Sequence, residues 1–342
     1  MPWLLVWLFA VLGAAVISGV VWGSVPIAAS DVSAIILQRA LGIGSEQAAV
    51  AGGIEQIVWE LRLPRVLLAA VVGATLTTVG VVIQAIVRNV LADPYVLGVS
   101  SGASVGATAV LLLGVFGGFG AWALSGAAFV GALVAVAVVF AVAAERGRLN
   151  PIRLVLTGVA MSFVFSAMTS FLVFQADPRA ARLVMFWLLG SFGRATWSVL
   201  LLPTVVLTLG VAFLVLQARN LNALSVGDDS ATALGLDPGR MRRLLFVVAS
   251  LLTGVVVAVS GAIGFVGLMM PHVVRLLVGA DHRRVIPVGV FLGAAFMVWG
   301  DLLARTLVSP QEMPIGVITA FVGAPVFVLL IRRGAYAFGG TR

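Results

Sequence analysis

Few residues in this chain are able to do chemistry, and they are scattered. Cysteine is absent, and all 21 basic residues are arginines. Disulfides and thiolate metal sites are therefore excluded, as is a phosphate-binding Walker A loop, which requires a lysine. The two histidines, His272 and His282, cannot form a three-histidine metal site. We expect no metal or cofactor to be bound by this chain, and any ATP and Mg²⁺ to be bound by another chain.

One acidic residue, Asp301, lies near the middle of an apolar segment, with Arg305 one helical turn later. Residues at this spacing share a helix face, so the sequence predicts a local ion pair. Ion-coupled transporters usually keep several acids or broken-helix ion sites within the membrane. One acid gives little support for an ion-coupled carrier. An intramembrane enzyme is not supported either, because the predicted spans hold no nucleophile–base pair.

The longest polar segment in the second half of the chain is 219–243. It has the signals of a short helix with caps at both ends. The capping candidates are Asp228, Asp229 and Ser230 at the start and Gly235 with Pro238 at the end. Such a helix between two membrane spans is expected to present Leu234 and Leu236 to a groove on a partner. A solvated, well-capped loop is the alternative.

These segments must be positioned by membrane helices, because 61% of the residues are hydrophobic and 10% are charged, with a mean hydropathy of +1.17. Helices of about 20 apolar residues cross a bilayer, which predicts roughly ten spans. They lie near 3–23, 64–87, 96–115, 119–143, 152–175, 195–217, 243–262, 264–279, 285–306 and 313–332. The intervals 24–60 and 176–194 are expected to hold short surface or re-entrant helices. No composition shift divides the chain, so 1–342 is predicted to be one transmembrane domain.

The arginines predict the orientation. Fourteen lie on the side shared by both termini and seven on the other side. The side richer in arginine should be cytoplasmic. Both termini and the polar segment 219–243 are therefore predicted to face the cytoplasm. Residues 1–23 lack a basic start and are expected to be a retained span. The net charge of +8 lies in these loops and does not indicate nucleic-acid binding.

Small residues recur at close spacing in GVSSGASVGA (98–107) and in GAPVF (323–327). Such faces allow helices to approach each other closely, which favours tight bundle packing. They could instead leave room for a central pathway, to which Ser100 and Ser101 would offer hydroxyls.

Several motifs occur together along the chain. They are RLPR (62–65), RNVLADPYVLGVSSGA (88–103), LNALSVGDDSATALGL (221–236), GAIGFVGLMMPHVVRLLVGADHR (261–283), DLLAR (301–305) and EMPIGVITAFVGAPVF (312–327). From about Trp59 to Leu330 this pattern closely resembles the FecCD-type permease family. Its members are the membrane subunits of type II ABC importers for ferric siderophores, haem and cobalamin.

The resemblance implies an all-α fold with about ten transmembrane helices, in the cell inner membrane. It implies a pathway between two permease copies, as a homodimer or with a sister subunit. Two cytoplasmic ATPases and an extracytoplasmic binding protein would complete the importer. A ferric siderophore is the first expected substrate, with haem or cobalamin as alternatives within the same class.

The resemblance also implies roles for particular residues. Positions matching the ATPase-coupling motif are Gly227, Asp228, Asp229, Ala231, Leu234 and Gly235. Positions expected to dock the binding protein are Arg62, Arg65 and Arg305. Positions expected to line or gate the pathway are Gln84, Asn89, Leu91, Ser100 and Ser101. The chain departs from relatives at Val90, where proline is common, and at Asn150, which puts a second polar gate in doubt. His272 belongs to the general motif and is expected to be structural, and His282 to be solvated or at the ATPase contact.

Overall fold

The computed structural model shows a helical protein. It describes residues 2–23, 25–42, 52–115, 118, 120, 122–145, 148–149 and 151–332. Asn150, where the sequence put a second polar gate in doubt, and the chain termini lie outside the described residues.

Fifteen α-helices occur within the described residues, and they are numbered here in chain order. They are α1 (Pro2–Val21), α2 (Ala29–Leu41), α3 (Gly52–Gln56), α4 (Leu63–Val87), α5 (Val99–Leu113), α6 (Trp122–Ala143), α7 (Pro151–Phe174), α8 (Pro178–Leu188), α9 (Trp197–Leu216), α10 (Ala218–Val226), α11 (Asp228–Ala233), α12 (Pro238–Ser260), α13 (Val266–Val278), α14 (His282–Thr306) and α15 (Ile315–Arg332). A π-helical turn (Ile57–Arg62) joins α3 to α4, and a 3₁₀ turn (Pro94–Leu97) precedes α5. Two short antiparallel strands, β1 (Ala144–Glu145) and β2 (Arg148–Leu149), follow α6.

The predicted all-α membrane architecture is confirmed. Seven helices of the described chain are long and apolar enough to cross a membrane, and three shorter apolar helices, α5, α13 and α15, complete the predicted set. The sequence misplaced the start of the second span. Its helix begins near residue 53 rather than 64, because the π turn continues α3 directly into α4. The predicted short helices in 24–60 and 176–194 are present as α2, α3 and α8.

α4 is the central helix of the bundle. Twenty of its twenty-five residues are buried, and it packs against α9, α12, α13 and α14. A helix that is apolar on every side is stable only when other helices surround it. By contrast, 17% of the α9 span is buried, which fits a helix that faces lipid. A displacement of α4 would therefore also displace the helices that pack against it.

Small residues allow the close helix crossings that the sequence predicted. A Cβ atom added to Gly73 of α4 would lie 2.1 Å from the carbonyl oxygen of Gly293 in α14. A Cβ added to Gly102 of α5 would lie 2.4 Å from the carbonyl oxygen of Gly131 in α6. Only glycine permits such backbone contact. In the segment 98–107, small residues therefore serve helix packing.

The two ends of the bundle carry different features. The end with α10 and α11 is called the cytoplasmic end, after the orientation that the arginines predict. The opposite end, with α2, α8 and the loop 307–314, is called the outer end.

Candidate functional site

Two short helices, α10 and α11, connect α9 to α12 at the cytoplasmic end. Gly227 joins them with φ of 150°, in a region that side chains disfavour. Ala231 of α11 is fully buried, whereas Leu234, directly after α11, is 72% exposed. Gly235 then turns the chain with φ of 79° and ends the helix, as predicted. The two glycines thus bound a small helix that displays Leu234 outward.

The predicted capping of this helix by Asp228 is wrong. The residue before α11 is Gly227, and no side chain caps the helix. The carboxylate of Asp228 instead accepts hydrogen bonds from Arg242. Asp229 is exposed. Leu236, which was expected to face a partner, packs against the protein core.

Arg242 ties three helices together at this end. Its side chain is 4% exposed. It donates from Nη1 to Oδ2 of Asp228 at 2.8 Å and from Nε to the carbonyl oxygen of Ile86 at 3.3 Å, and Nη2 bonds the other carboxylate oxygen. A charged donor that engages both carboxylate oxygens fixes geometry as well as adding stability. The position of α11 is therefore linked to α12 and to the last turn of α4.

The charge on Asp228 is maintained by its neighbours. Hydrogen bonds from Arg242, followed by the nearby charge of Arg88, hold the pKa of the Asp228 carboxyl below its usual range. Arg88 Nη1 lies 3.6 Å from Oδ1 of Asp228. Asp228 is thus an anion at neutral pH, held between arginines from α12 and from the end of α4.

A second polar link joins α10 to the start of α14. Asn222 donates to Oδ1 of Asp281 at 2.8 Å and accepts from the backbone N–H of His282 at 2.9 Å. The hydrogen bond from Asn222, followed by that from the backbone N–H of Arg283, lowers the pKa of Asp281. His282 is 5% exposed, with ring Nδ1 2.6 Å from Oδ1 of Asn222. The expectation that His282 is solvated is therefore wrong, because it is packed in this link.

The turn after α4 lies close to the Arg242 contact. Arg88 ends α4 in a left-handed conformation with φ of 55°. The side-chain oxygen of Asn89 accepts a hydrogen bond from the backbone N–H of Leu91 at 2.9 Å, which closes a tight turn without proline at Val90. Leu91 is 44% exposed. The two expected gate residues therefore lie on an exposed turn, three and five residues after Ile86.

Gln84, which was expected to line or gate the pathway, lies inside the helical bundle of this chain. It is fully buried, donates to the carbonyl oxygen of Leu268 at 3.3 Å and accepts from Arg275. Its polar groups are thereby satisfied inside the bundle, where it joins α4 to α13. The other expected pathway residues are half-buried in the first turn of α5, where Ser101 donates to the carbonyl oxygen of Gly98 and the carbonyl of Ser100 accepts from Ser104.

Two of the three expected docking arginines are buried at the outer end. Arg62 is 6% exposed and donates to the carbonyl oxygens of Val20 and Val21 at 2.9 and 2.8 Å. Arg305 is 5% exposed and donates to the carbonyl oxygen of Gly19 at 2.8 Å. The expectation that these two arginines stand on the outer rim is corrected, because both anchor α1 to the bundle.

A buried carboxylate organises the third arginine. The predicted local pair is confirmed, with Arg305 Nε 3.0 Å from Oδ2 of Asp301. Arg65 donates from Nε to Oδ1 of Asp301 at 3.0 Å, and from Nη1 to both oxygens of Glu312 at 2.9 Å. Asp301 is 1% exposed, whereas Glu312 is 45% exposed. Arg65 thus carries one buried and one exposed acid.

The comparison with known families decides the identity of this helical bundle. The sequence profile of the FecCD transport family matches residues 9–333. The chain belongs to the FecCD transport family. FecCD proteins are permease subunits of ABC importers, in which a partner supplies the ATPase.

Two of the relatives of this FecCD chain are named for different transported molecules. It is 41% identical to an ABC transporter permease, YvrB, of Bacillus subtilis over 95% of this chain and 92% of that protein. It is 44% identical to the cobalamin import permease BtuC of Halobacterium salinarum over 81% of this chain and 73% of that protein. It is 40% identical to the hemin transport permease HmuU of Yersinia pestis over 81% of this chain and 83% of that protein.

A solved structure supports the type II importer permease fold of this FecCD chain. It is described as an inward-facing conformation of a metal-chelate type ABC transporter. The match has a TM-score of 0.83 and 32% identity, and covers 97% of this chain and 100% of that one.

Sequence reasoning missed Arg242, Asn222 and Glu312 in this FecCD chain. Arg242 had a detectable signal, because it shares one helix face with Leu245, Phe246 and Ala249, all of which are buried. An arginine on an apolar face must have a partner. Asn222 and Glu312 had no comparable signal, since their partners become visible only when distant elements meet.

No group of three or more histidine or acidic side chains within the described residues could hold a metal ion. His272 is 8% exposed within α13, in agreement with the expected structural position.

Proposed function

We propose that this chain is the permease subunit of an ATP-driven importer that carries an iron chelate across the cell inner membrane. A binding protein delivers the chelate outside, and the permease releases it into the cytoplasm by alternating access. ATP and Mg²⁺ are bound by the partner ATPase, and both termini face the cytoplasm. The observation that carries the proposal is the rigid attachment of α11 to α4 and α12 through Arg242, beside the exposed Leu234.

The expected assembly contains two copies of this chain, two ATPase subunits and one binding protein. α10 and α11 form the surface that the ATPase subunits bind. Closure of the ATPases moves these helices as a rigid unit, because the links of Asn222 to Asp281 and of Asp228 to Arg242 join them to the membrane helices. Their displacement is transmitted to the turn that holds Asn89 and Leu91.

A ferric siderophore is the proposed substrate. Cobalamin is the second candidate, since a cobalamin permease is among the named relatives with 44% identity. Uptake of ⁵⁵Fe-labelled siderophore and of ⁵⁷Co-labelled cobalamin by the reconstituted importer separates them. Transport of cobalamin with no transport of any ferric siderophore would overturn the siderophore assignment and leave the importer assignment intact.

Two substitutions on α11 and its following turn test the coupling surface. Leu234→Asp and Asp229→Arg should leave the fold intact, because both positions are exposed. Loss of an apolar side chain at a binding hot spot costs about 2 kcal/mol, which weakens binding roughly 30-fold.

We expect reduced co-purification of the ATPase and loss of substrate uptake in vesicles, with Leu234→Met as the conservative control that retains both. Normal uptake by the Leu234→Asp and Asp229→Arg variants would contradict the proposal.

A further inference from the structure

A cavity of about 510 Å³ lies at the outer end of the bundle, between α5, α6, α8, α9 and α12. Its lining includes Leu111 near the end of α5, Trp122 at the start of α6, Trp187 of α8, Val199 in the first turn of α9 and Val259 near the end of α12. The volume is within the range of ligand-binding sites in proteins. We call this space the outer cavity.

The outer cavity carries positive charge. Among the described residues that line it, Arg194 is charged and none is acidic. Arg194 is exposed, in the turn between α8 and α9, and forms no ion pair within the part of the chain that the structure describes. Arg179 and Arg182 of α8 are likewise exposed and unpaired, but neither lines this cavity. An anionic ligand would complement the charge of Arg194.

The polar groups beside this charge suit a phosphate. Thr196 and Ser198 line the same cavity, with their hydroxyl oxygens 3.0 Å apart. Thr196 begins α9 and accepts a hydrogen bond from the backbone N–H of Val199 at 3.4 Å. The first turn of a helix favours an anion, and a guanidinium binds phosphate through two parallel hydrogen bonds. Arg194 and the two hydroxyls therefore give the cavity a polar end.

Most of the remaining lining is apolar, and it is continuous with an apolar helix face. α6 and α9 both pack against α12, and 33% and 17% of their spans are buried. On α12, Leu244 and Leu251 are exposed, and Ala258 of the outer cavity follows at the same seven-residue spacing. Residues at this spacing share a helix face. An exposed apolar face of α12 therefore leads from the hydrocarbon of the membrane to the outer cavity.

Tryptophans place the outer cavity at the membrane surface. Trp122 and Trp197 are the first residues of α6 and α9, which are both candidate spans. The indole N–H of Trp197 donates to the carbonyl oxygen of Trp59 at 3.0 Å, and the two rings lie 5.0 Å apart. Tryptophan is enriched where the hydrocarbon meets the lipid headgroups. The polar end of the cavity is therefore at the depth of the headgroups.

We propose that the outer cavity binds an anionic phospholipid from the membrane leaflet at the outer end. Arg194 and the hydroxyls of Thr196 and Ser198 bind its phosphate, and one acyl chain lies along the exposed face of α12. A free phosphate would use only the polar end. Phe186 and Trp187 of α8 line the same cavity, so the bound lipid contacts α8, α9 and α12 together. The inference requires only that the chain lies in a membrane, and is independent of the substrate and of the ATPase.

The test uses the full-length protein with its copurified partners, extracted in mild detergent and stripped of lipid. Native mass spectrometry measures the binding of dioleoylphosphatidylglycerol and of zwitterionic dioleoylphosphatidylcholine. We expect phosphatidylglycerol to bind more tightly. Arg194→Gln should weaken its binding about tenfold, because a charged donor to the phosphate is lost. Arg179→Gln is the matched control, since it removes an exposed outer-end arginine that does not line the cavity, and it should leave binding unchanged.

A second variant blocks the cavity instead of removing its charge. Ser198→Trp places a large side chain in the cavity from an exposed position, so the protein should fold. Phosphatidylglycerol should raise the thermal unfolding temperature of the wild type and not that of Ser198→Trp. Glycerol phosphate, which has the head without the acyl chains, should not displace the lipid.

Equal binding of the two lipids by the wild type would overturn the inference. So would wild-type affinity for phosphatidylglycerol in both Arg194→Gln and Ser198→Trp. An equal loss of binding in Arg179→Gln would indicate general attraction to a positive surface, and displacement by glycerol phosphate would indicate a site for free phosphate. Either result would also overturn the inference, and the importer assignment would stand in each case.

Discussion

At position 242 an arginine lies on the apolar face of α12, where an unpaired charge would be costly. Its partners come from elsewhere in the chain: Asp228 precedes it by fourteen residues and Ile86 by 156. The residue is a positioning residue, because it fixes α11 against the end of α4. A side chain of this kind is recognised from sequence only as a buried charge that needs a partner.

Replacement of Arg242 by alanine should uncouple the ATPase from transport. The change leaves the carbonyl of Ile86 and the carboxylate of Asp228 without their donor, at a cost of about 1–3 kcal/mol of stability. We expect ATP hydrolysis to persist while substrate uptake per ATP falls, because α11 no longer moves α4. Arg242→Lys keeps the charge but loses the two-point contact with the Asp228 carboxylate. Relative to the alanine variant, it should restore more of the stability than of the substrate uptake per ATP.

The measurement is the ratio of uptake to ATP hydrolysis in vesicles. If the alanine variant merely folds less well, both rates fall together and the ratio stays constant, which would contradict the coupling role of Arg242.

Asp93 should give the protein a pH-dependent stability. Burial raises the pKa of Asp93 to about 6, against a hydrogen bond from the backbone N–H of Tyr95 that lowers it. The ordinary value is about 3.9, so the folded state holds this proton more tightly than the unfolded chain. This contribution to stability is present below about pH 4 and is lost as the pH rises to about 6.

Asp93→Asn keeps an oxygen that accepts from Tyr95 and removes the ionisation. We expect the variant to match the wild type at pH 4 and to be more stable at pH 7, by about 2 kcal/mol. Denaturant unfolding in detergent across this range measures the difference. Asp237→Asn is the control, because hydrogen bonds from the backbone N–H groups of Arg240 and Gly239 lower the pKa of Asp237, which gives the opposite pH dependence. Parallel curves for Asp93→Asn and the wild type would contradict the prediction.

At the scale of elements, the apolar runs were sufficient to predict the membrane helices. The cytoplasmic connection that contains α10 was not predicted. α10 was missed because its sequence, ARNLNALSV, contains four polar residues and only three strongly apolar ones. Its helical state depends on tertiary packing, since Ala218, Leu221 and Leu224 are fully buried against the bundle. The π turn before α4 also had no sequence signal. The short helix within the polar segment 219–243 was expected from its sequence, but the contact of Asp228 with Arg242 became visible only in the structure.

The crossing of α4 and α14 depends on the absence of side chains at their contact. Gly73→Ala should destabilise the protein by about 1–3 kcal/mol, because the new methyl group would overlap the backbone of Gly293. Gly13→Ala in α1 is the matched control, since nothing lies within 4 Å of its added Cβ. Titration with SDS, followed by circular dichroism, measures both. Equal stability of the two variants would show that this crossing tolerates a side chain.

At the scale of the whole molecule, the family resemblance predicted the architecture. The structure then showed which of the outer-end arginines are bound within the chain. Four of the outer-end arginines, Arg39, Arg62, Arg65 and Arg305, are bound within the described chain, and the unpaired ones are on or beside α8. Sequence could not separate these groups, because every arginine near a span end looks alike until the helices assemble. The second permease copy and the orientation of the termini stay predictions.

The central claim is that transport through this chain is driven by an ATPase that grips α10 and α11. The most direct measurement is substrate uptake into vesicles that contain the permease, the ATPase and trapped ATP, with the binding protein outside and ionophores that collapse all ion gradients. We predict uptake that requires ATP and the ATPase and that continues without any gradient. Uptake by the permease alone, driven by a proton or sodium gradient, would contradict the account.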